Sequence, residues 1–77
     1  MDTIERDLLH RIITDRPFTE YITQRIDIGD FDNEVANRIY VGIVDLLHQG
    51  QEITYKNLAV YFKKEAQVTG ILENMTM

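Results

Sequence analysis

The sequence predicts an all-α fold, a compact bundle of about four to five helices forming a single domain over residues 1–77. Three observations predict it. Apolar side chains recur every three to four positions through most of the chain. A wide apolar stripe from Val35 to Leu47 stops at Gly50 and restarts at once with Ile53-Thr54, a glycine stop followed by a capping residue. No stretch of useful length alternates as a strand would, and there is no internal repeat or low-complexity tract.

The first helix starts from Asp2, a capping residue, with Glu5 three positions on as its capping-box partner. Ile4, Leu8, Leu9, Ile12 and Ile13 form its inner face. Thr14-Asp15-Arg16-Pro17 ends it, and Arg16, standing before proline, is expected outside the helical region. Pro17 or Phe18 opens a second, shorter helix with Phe18, Tyr21, Ile22 and Ile26 on one side. Asp27-Ile28-Gly29-Asp30-Phe31 reads as a linker that tucks Ile28 and Phe31 under the bundle.

The long helix is expected from about Asp32 to about Gln49, about 25–27 Å at 1.5 Å per residue. Val35, Ile39, Ile43, Leu46 and Leu47 make its stripe, widened by Ala36, Tyr40 and Val44, which suits a helix touched on two sides. Gly42 costs about 1 kcal/mol against alanine in a helix, so its presence predicts a close neighbour. Thr54 caps the next helix, with Ile53 stapled onto Leu58. Leu58, Ala59 and Phe62 are expected to point inward. The last segment, Ala66 to Asn74, has Val68, Ile71, Leu72 and Met75 at helical spacing, weakened by Thr69 and Gly70.

Composition narrows the function. Formal net charge is −5, from 13 acidic and 8 basic side chains, which disfavours direct nucleic-acid binding because a phosphate backbone repels it. Cysteine is absent, so neither disulfides nor thiolate metal sites are available. No apolar run reaches the length of a membrane span, and the charged start, Met1 to Asp7, lacks a signal-peptide core. A cytoplasmic protein without a membrane partner is expected.

The motifs reduce to structural roles. Asp27, Asp30, Asp32 and Glu34 lack the alternation of a calcium loop, and Phe31 interrupts them. Asp32 and Glu34 suit a helix start instead. His10 and His48, 38 positions apart, have no partner at metal-ligand spacing. Glycines are isolated, serine is absent, and no base stands beside the threonines. No catalytic, metal or cofactor residue is predicted, and the chain is not expected to be an enzyme. Ile53-Thr54 followed by Leu58-Ala59 also opens many helix-turn-helix units, but only Lys63 and Lys64 supply positive charge where a recognition helix would follow. The candidate partner-binding residues are Tyr55, Val60, Lys63 and Lys64: a first-turn tyrosine expected to be exposed, and an outward valine beside lysines.

Four segments carry a family resemblance: Glu5 to Asp15; Asp30-Phe31-Asp32; Arg38 to Gly50; and Ile53-Thr54-Tyr55-Lys56-Asn57-Leu58. Over roughly residues 3 to 65 the chain resembles the domain shared by the C-terminus of the bacterial primase DnaG and the N-terminus of the replicative helicase DnaB. Helicase versions usually carry a histidine-arginine pair early in the long helix, where this chain has Ala36-Asn37-Arg38. Thr54 stands where aspartate is common. Both departures favour the primase side. The resemblance implies a helical-bundle subdomain, monomeric, that docks on the DnaB N-terminal domain and modulates the helicase at the fork, within a parent enzyme that is a nucleotidyltransferase. It implies no catalytic residue here. The primase domain continues into a further helical hairpin, so the chain reads as an excised fragment, with a small stand-alone or phage protein of the same fold as the alternative. The helicase collar domain itself, or a small helix-turn-helix protein, are the other readings.

Overall fold

In the computed structural model, which describes residues 2–76, five helices follow one another: α1 (Thr3–Thr14), α2 (Arg16–Ile22), α3 (Glu34–His48), α4 (Tyr55–Tyr61) and α5 (Ala66–Met75). No strand occurs among the described residues. The longest helix, α3, is the hub. It packs against α1, α4 and α5, while α1 packs on α2 and α4 on α5. Its sequence explains that place: Val35, Ala36, Ile39, Tyr40, Gly42, Ile43 and Leu46 are all buried, a face too wide for one neighbour.

The core joins Leu9, Ile12 and Ile13 of α1 to that face, then to Ile53, Leu58 and Phe62 around α4 and Val68, Leu72 and Met75 of α5. Gly42 is where α4 comes closest. A Cβ there would lie 2.6 and 2.7 Å from Phe62 Cε2 and Cζ, so only glycine lets the buried ring seat.

Capping follows the residue types. Asp2, Asn33 and Thr54 each accept from the backbone N–H three positions on, in Glu5, Ala36 and Asn57. Past α3, Gly50 takes φ 73°, its N–H donates to the Leu47 carbonyl, and the Gln51 N–H donates to the Leu46 carbonyl. These two bonds are the Schellman closure that glycine permits.

Several expectations need correction. The break between α1 and α2 falls at Asp15, not Arg16. Asp15 is extended at φ −128°, ends α1 and caps α2 through Phe18 N, while Arg16 is already helical. Pro17 fits because first-turn N–H groups have no intrahelical partner to lose. Glu5 does not close a capping box; its Oε2 accepts from Asp32 N at 2.8 Å, tying α1 to the approach to α3. Ile4 is 80% exposed because the apolar face of α1 runs out before its first turn. Ala59 is exposed, since seven-residue α4 buries only Leu58 along its own length. Tyr21 is not core-edge packing but exposed, and Ile28 is exposed at the tip of a turn rather than tucked under. The long helix starts at Glu34, two residues later than expected.

Thr19, which the apolar pattern passes over, is fully buried. Its hydroxyl meets the Ile12 carbonyl and lies 3.0 Å from the Asp15 carbonyl, so it fastens the second helix to the first.

Candidate functional site

The four candidate residues differ in exposure: Tyr55 is half-buried, while Val60, Lys63 and Lys64 are exposed. Val60 is 62% exposed, as an outward position should be. It borders an open groove of about 270 Å³ with Leu46, Gln49, Gln51, Asn57 and Tyr61. Lys63 and Lys64 are exposed, join no salt bridge among the described residues and lie in the turn past the end of α4, where the Lys63 N–H donates to the Val60 carbonyl at 3.3 Å. Tyr55 departs most from expectation. It is half-buried against the core, and its hydroxyl sits 2.6 Å from His10 Nδ1. Burial pushes its phenol pKa up, with Arg6 pulling the other way. Its ring and hydroxyl are therefore committed to the α1–α4 junction.

Most other polar groups are spent in the same manner. The Tyr61 hydroxyl donates to Asp45, which raises the tyrosine pKa, and Arg38 pairs with Glu65 at 3.1 Å. Arg6 Nη2 donates to the Asn74 carbonyl at 2.9 Å. A groove of about 470 Å³ is lined by Glu20, Thr23, Gln24, Val44, Leu47 and His48, and the Thr23 hydroxyl in it donates to the Thr19 carbonyl. Among the described residues no group of three or more His, Cys, Asp or Glu side chains could hold a metal ion.

The side between α2 and α3 is built differently. Asn37, in the first turns of α3, reaches back across the linker. Its Oδ1 accepts from Gly29 N at 3.0 Å and Phe31 N at 3.3 Å, and its Nδ2 donates to the Phe31 carbonyl at 3.1 Å. The Tyr40 hydroxyl donates to the Ile26 carbonyl at 2.7 Å. Burial pushes that phenol up, and Asp27 and Asp30 push it further. Asp27 to Asp30 form a turn closed by Asp30 N to the Asp27 carbonyl, 3.1 Å, with Gly29 at φ 103°. Phe31 then folds in against Tyr40, ring centroids 5.4 Å apart. Together these segments shape a hollow of about 220 Å³ lined by Glu5, Leu8, Ile26, Asp30 and Phe31.

Sequence reasoning missed Asn37 and this hollow. A signal for the turn was present, since Asp-Ile-Gly-Asp places glycine where a type II turn needs positive φ. No signal showed that Asn37 would reach back six to eight residues.

No protein-family model, curated protein or solved structure matches the chain. No described helix is long and apolar enough to cross a membrane. The helix-turn-helix reading would make α5 the recognition helix, yet Ala66–Met75 contains no lysine or arginine and buries Val68, Leu72 and Met75.

Proposed function

We propose that the chain is a protein–protein interaction module of bacterial DNA primase, the helical-bundle part of its C-terminal domain, that contacts the N-terminal domain of the replicative helicase DnaB and modulates its activity. The observation that carries this reading is where the polar chemistry goes. His10, Asp15, Asn37, Asp45, Tyr55 and Tyr61 are each held in a hydrogen bond that caps a helix or joins two parts of the bundle. What the fold leaves for work is its exterior. The resemblance over residues 3 to 65 supplies the partner, and the all-α bundle agrees with the architecture that resemblance implies.

Contact, not turnover, is then the mechanism: apolar anchors within a polar rim. Affinity of the bundle alone is weak, because few contacts must offset the entropy lost on association. Adding the chain to DnaB changes the helicase ATPase rate, while the chain alone hydrolyses no ATP. An unchanged rate with no co-sedimentation at high concentration contradicts the reading. Self-association of the chain alone would instead point to the helicase collar domain.

A further inference from the structure

The hollow between α1 and the α2–α3 linker combines two features. Its apolar part comes from Leu8, Ile26 and Phe31. Phe31 is buried, but Leu8 and Ile26 are only partly covered by the core. Two further apolar side chains close in sequence to its lining are exposed. Ile4, one helical turn before Leu8 on α1, is 80% exposed, and Ile28, in the turn that ends at the lining residue Asp30, is 57% exposed.

The second feature is the rim. Glu5 and Asp30 line the hollow. Asp30 Oδ2 accepts from Asp27 N at 2.8 Å, and Glu5 accepts from Asp32 N at the same distance, so each lining carboxylate is fixed by the backbone of a further acidic residue. None of the four takes part in a salt bridge among the described residues. The nearest arginines in sequence are engaged elsewhere: Arg6 on the Asn74 carbonyl, Arg25 over the Tyr21 ring at 3.8 Å. Among the described residues no lysine or arginine forms an ion pair with the rim.

We propose that this hollow is a docking site for a basic, amphipathic segment of a partner protein, which seats one aliphatic side chain against Leu8, Ile26 and Phe31 while its lysines or arginines meet Glu5 and Asp30, with Asp27 and Asp32 adding negative charge in the same segment of chain. Charge complementarity selects the occupant. A nucleic acid or an anionic membrane is repelled by the rim, and a neutral apolar segment leaves the carboxylates unpaired. The volume, about 220 Å³, admits one side chain and not a small-molecule cofactor of ordinary size. The inference rests on the reading of the chain as an interaction module, but not on the helicase being the partner.

The test is a titration of the ¹⁵N-labelled 77-residue chain with a synthetic helical peptide of leucines on one face and lysines on the other. Two control peptides replace all lysines by glutamate or all leucines by glutamine. The Leu/Lys peptide shifts the amides of Leu8, Ile26, Ile28 and Phe31, and both controls bind more weakly. The variant Glu5→Gln/Asp27→Asn/Asp30→Asn keeps every hydrogen-bond acceptor and weakens binding about fivefold, a small loss per exposed charge. Ile28→Ser, at an exposed position, weakens it without unfolding the chain. Equal binding of the glutamine control, equal binding by the triple variant, or shifts confined to α4 and α5 would overturn the proposal. The DnaB N-terminal domain is titrated in parallel. If it binds and the peptide does not, the docking site fails and the helicase reading stands; if the peptide binds and DnaB does not, the reverse holds.

Discussion

The two linkers that flank α3 solve the same problem in opposite ways. After α3, residues 49–54 turn the chain with local chemistry alone: a glycine at φ 73°, a Schellman pair of backbone bonds, and Thr54 as the next cap. Ile53 is buried as the chain passes. Before α3, residues 23–33 are longer and acidic, and they are held mainly by groups far along the chain: Asn37, Tyr40 and Glu5. Ile28 is left in water. The second linker borders open grooves through Gln49, Gln51 and Glu52 but carries one carboxylate where the first carries three. A linker pinned from outside can display a turn, a hollow and unpaired charges, and binding residues concentrate on such loops set on a rigid scaffold.

Four substitutions would break or sharpen that contrast. Asn37→Ala should cost the most, about 2 kcal/mol by denaturant unfolding, because it removes three hydrogen bonds and leaves the partly buried Phe31 N–H without a partner. A loss under a few tenths would mean the first linker closes locally too. Gly50→Ala should cost about 1 kcal/mol, since a Cβ is disfavoured at φ 73° although the site has open space. Thr54→Ala should cost about the same through loss of its bond to Asn57 N. Neither should alter binding at the hollow.

Tyr40→Phe should cost about 1 kcal/mol at neutral pH by releasing the Ile26 carbonyl. It should also change the alkaline limb of the stability curve. The Tyr40 pKa is raised in the folded state, so the native protein holds that proton more tightly than the unfolded chain does. The resulting stabilisation is complete below the ordinary value of 10.0 and is lost as pH rises through the raised one. The variant should lose this share of the decline above pH 10, leaving the shares of Tyr55 and Tyr61, whose pKa values are also raised. An unchanged limb would show that Tyr40 is no harder to ionise in the fold than out of it.

The same contrast explains what the sequence made legible. The stop at Gly50, the cap at Thr54, the broad stripe of α3 and the need for a close neighbour at Gly42 all depend on residue type and spacing within one or two turns, and each is present. The errors lie where distant groups decide. Glu5 abandons its capping box for Asp32 N, and Tyr55 gives up solvent for His10, 45 residues away. Tyr21 is exposed, with Arg25 3.8 Å over its ring, while Arg11 stands 3.9 Å over Phe18. Periodicity placed Val60 outward but could not show that α4 ends at Tyr61, before the lysines. The hollow was illegible for the same reason. Leu8, Ile26 and Phe31 read as three separate core residues until the linker is folded over α1.

The most direct measurement is a chemical-shift map of the labelled chain bound to the DnaB N-terminal domain. The account predicts perturbed amides along one contiguous face, Glu5, Leu8 and residues 26–32, with Lys63 and Lys64 unaffected. No perturbation at high concentration would contradict the helicase reading, and a footprint centred on Val60, Lys63 and Lys64 would contradict the hollow as the contact face.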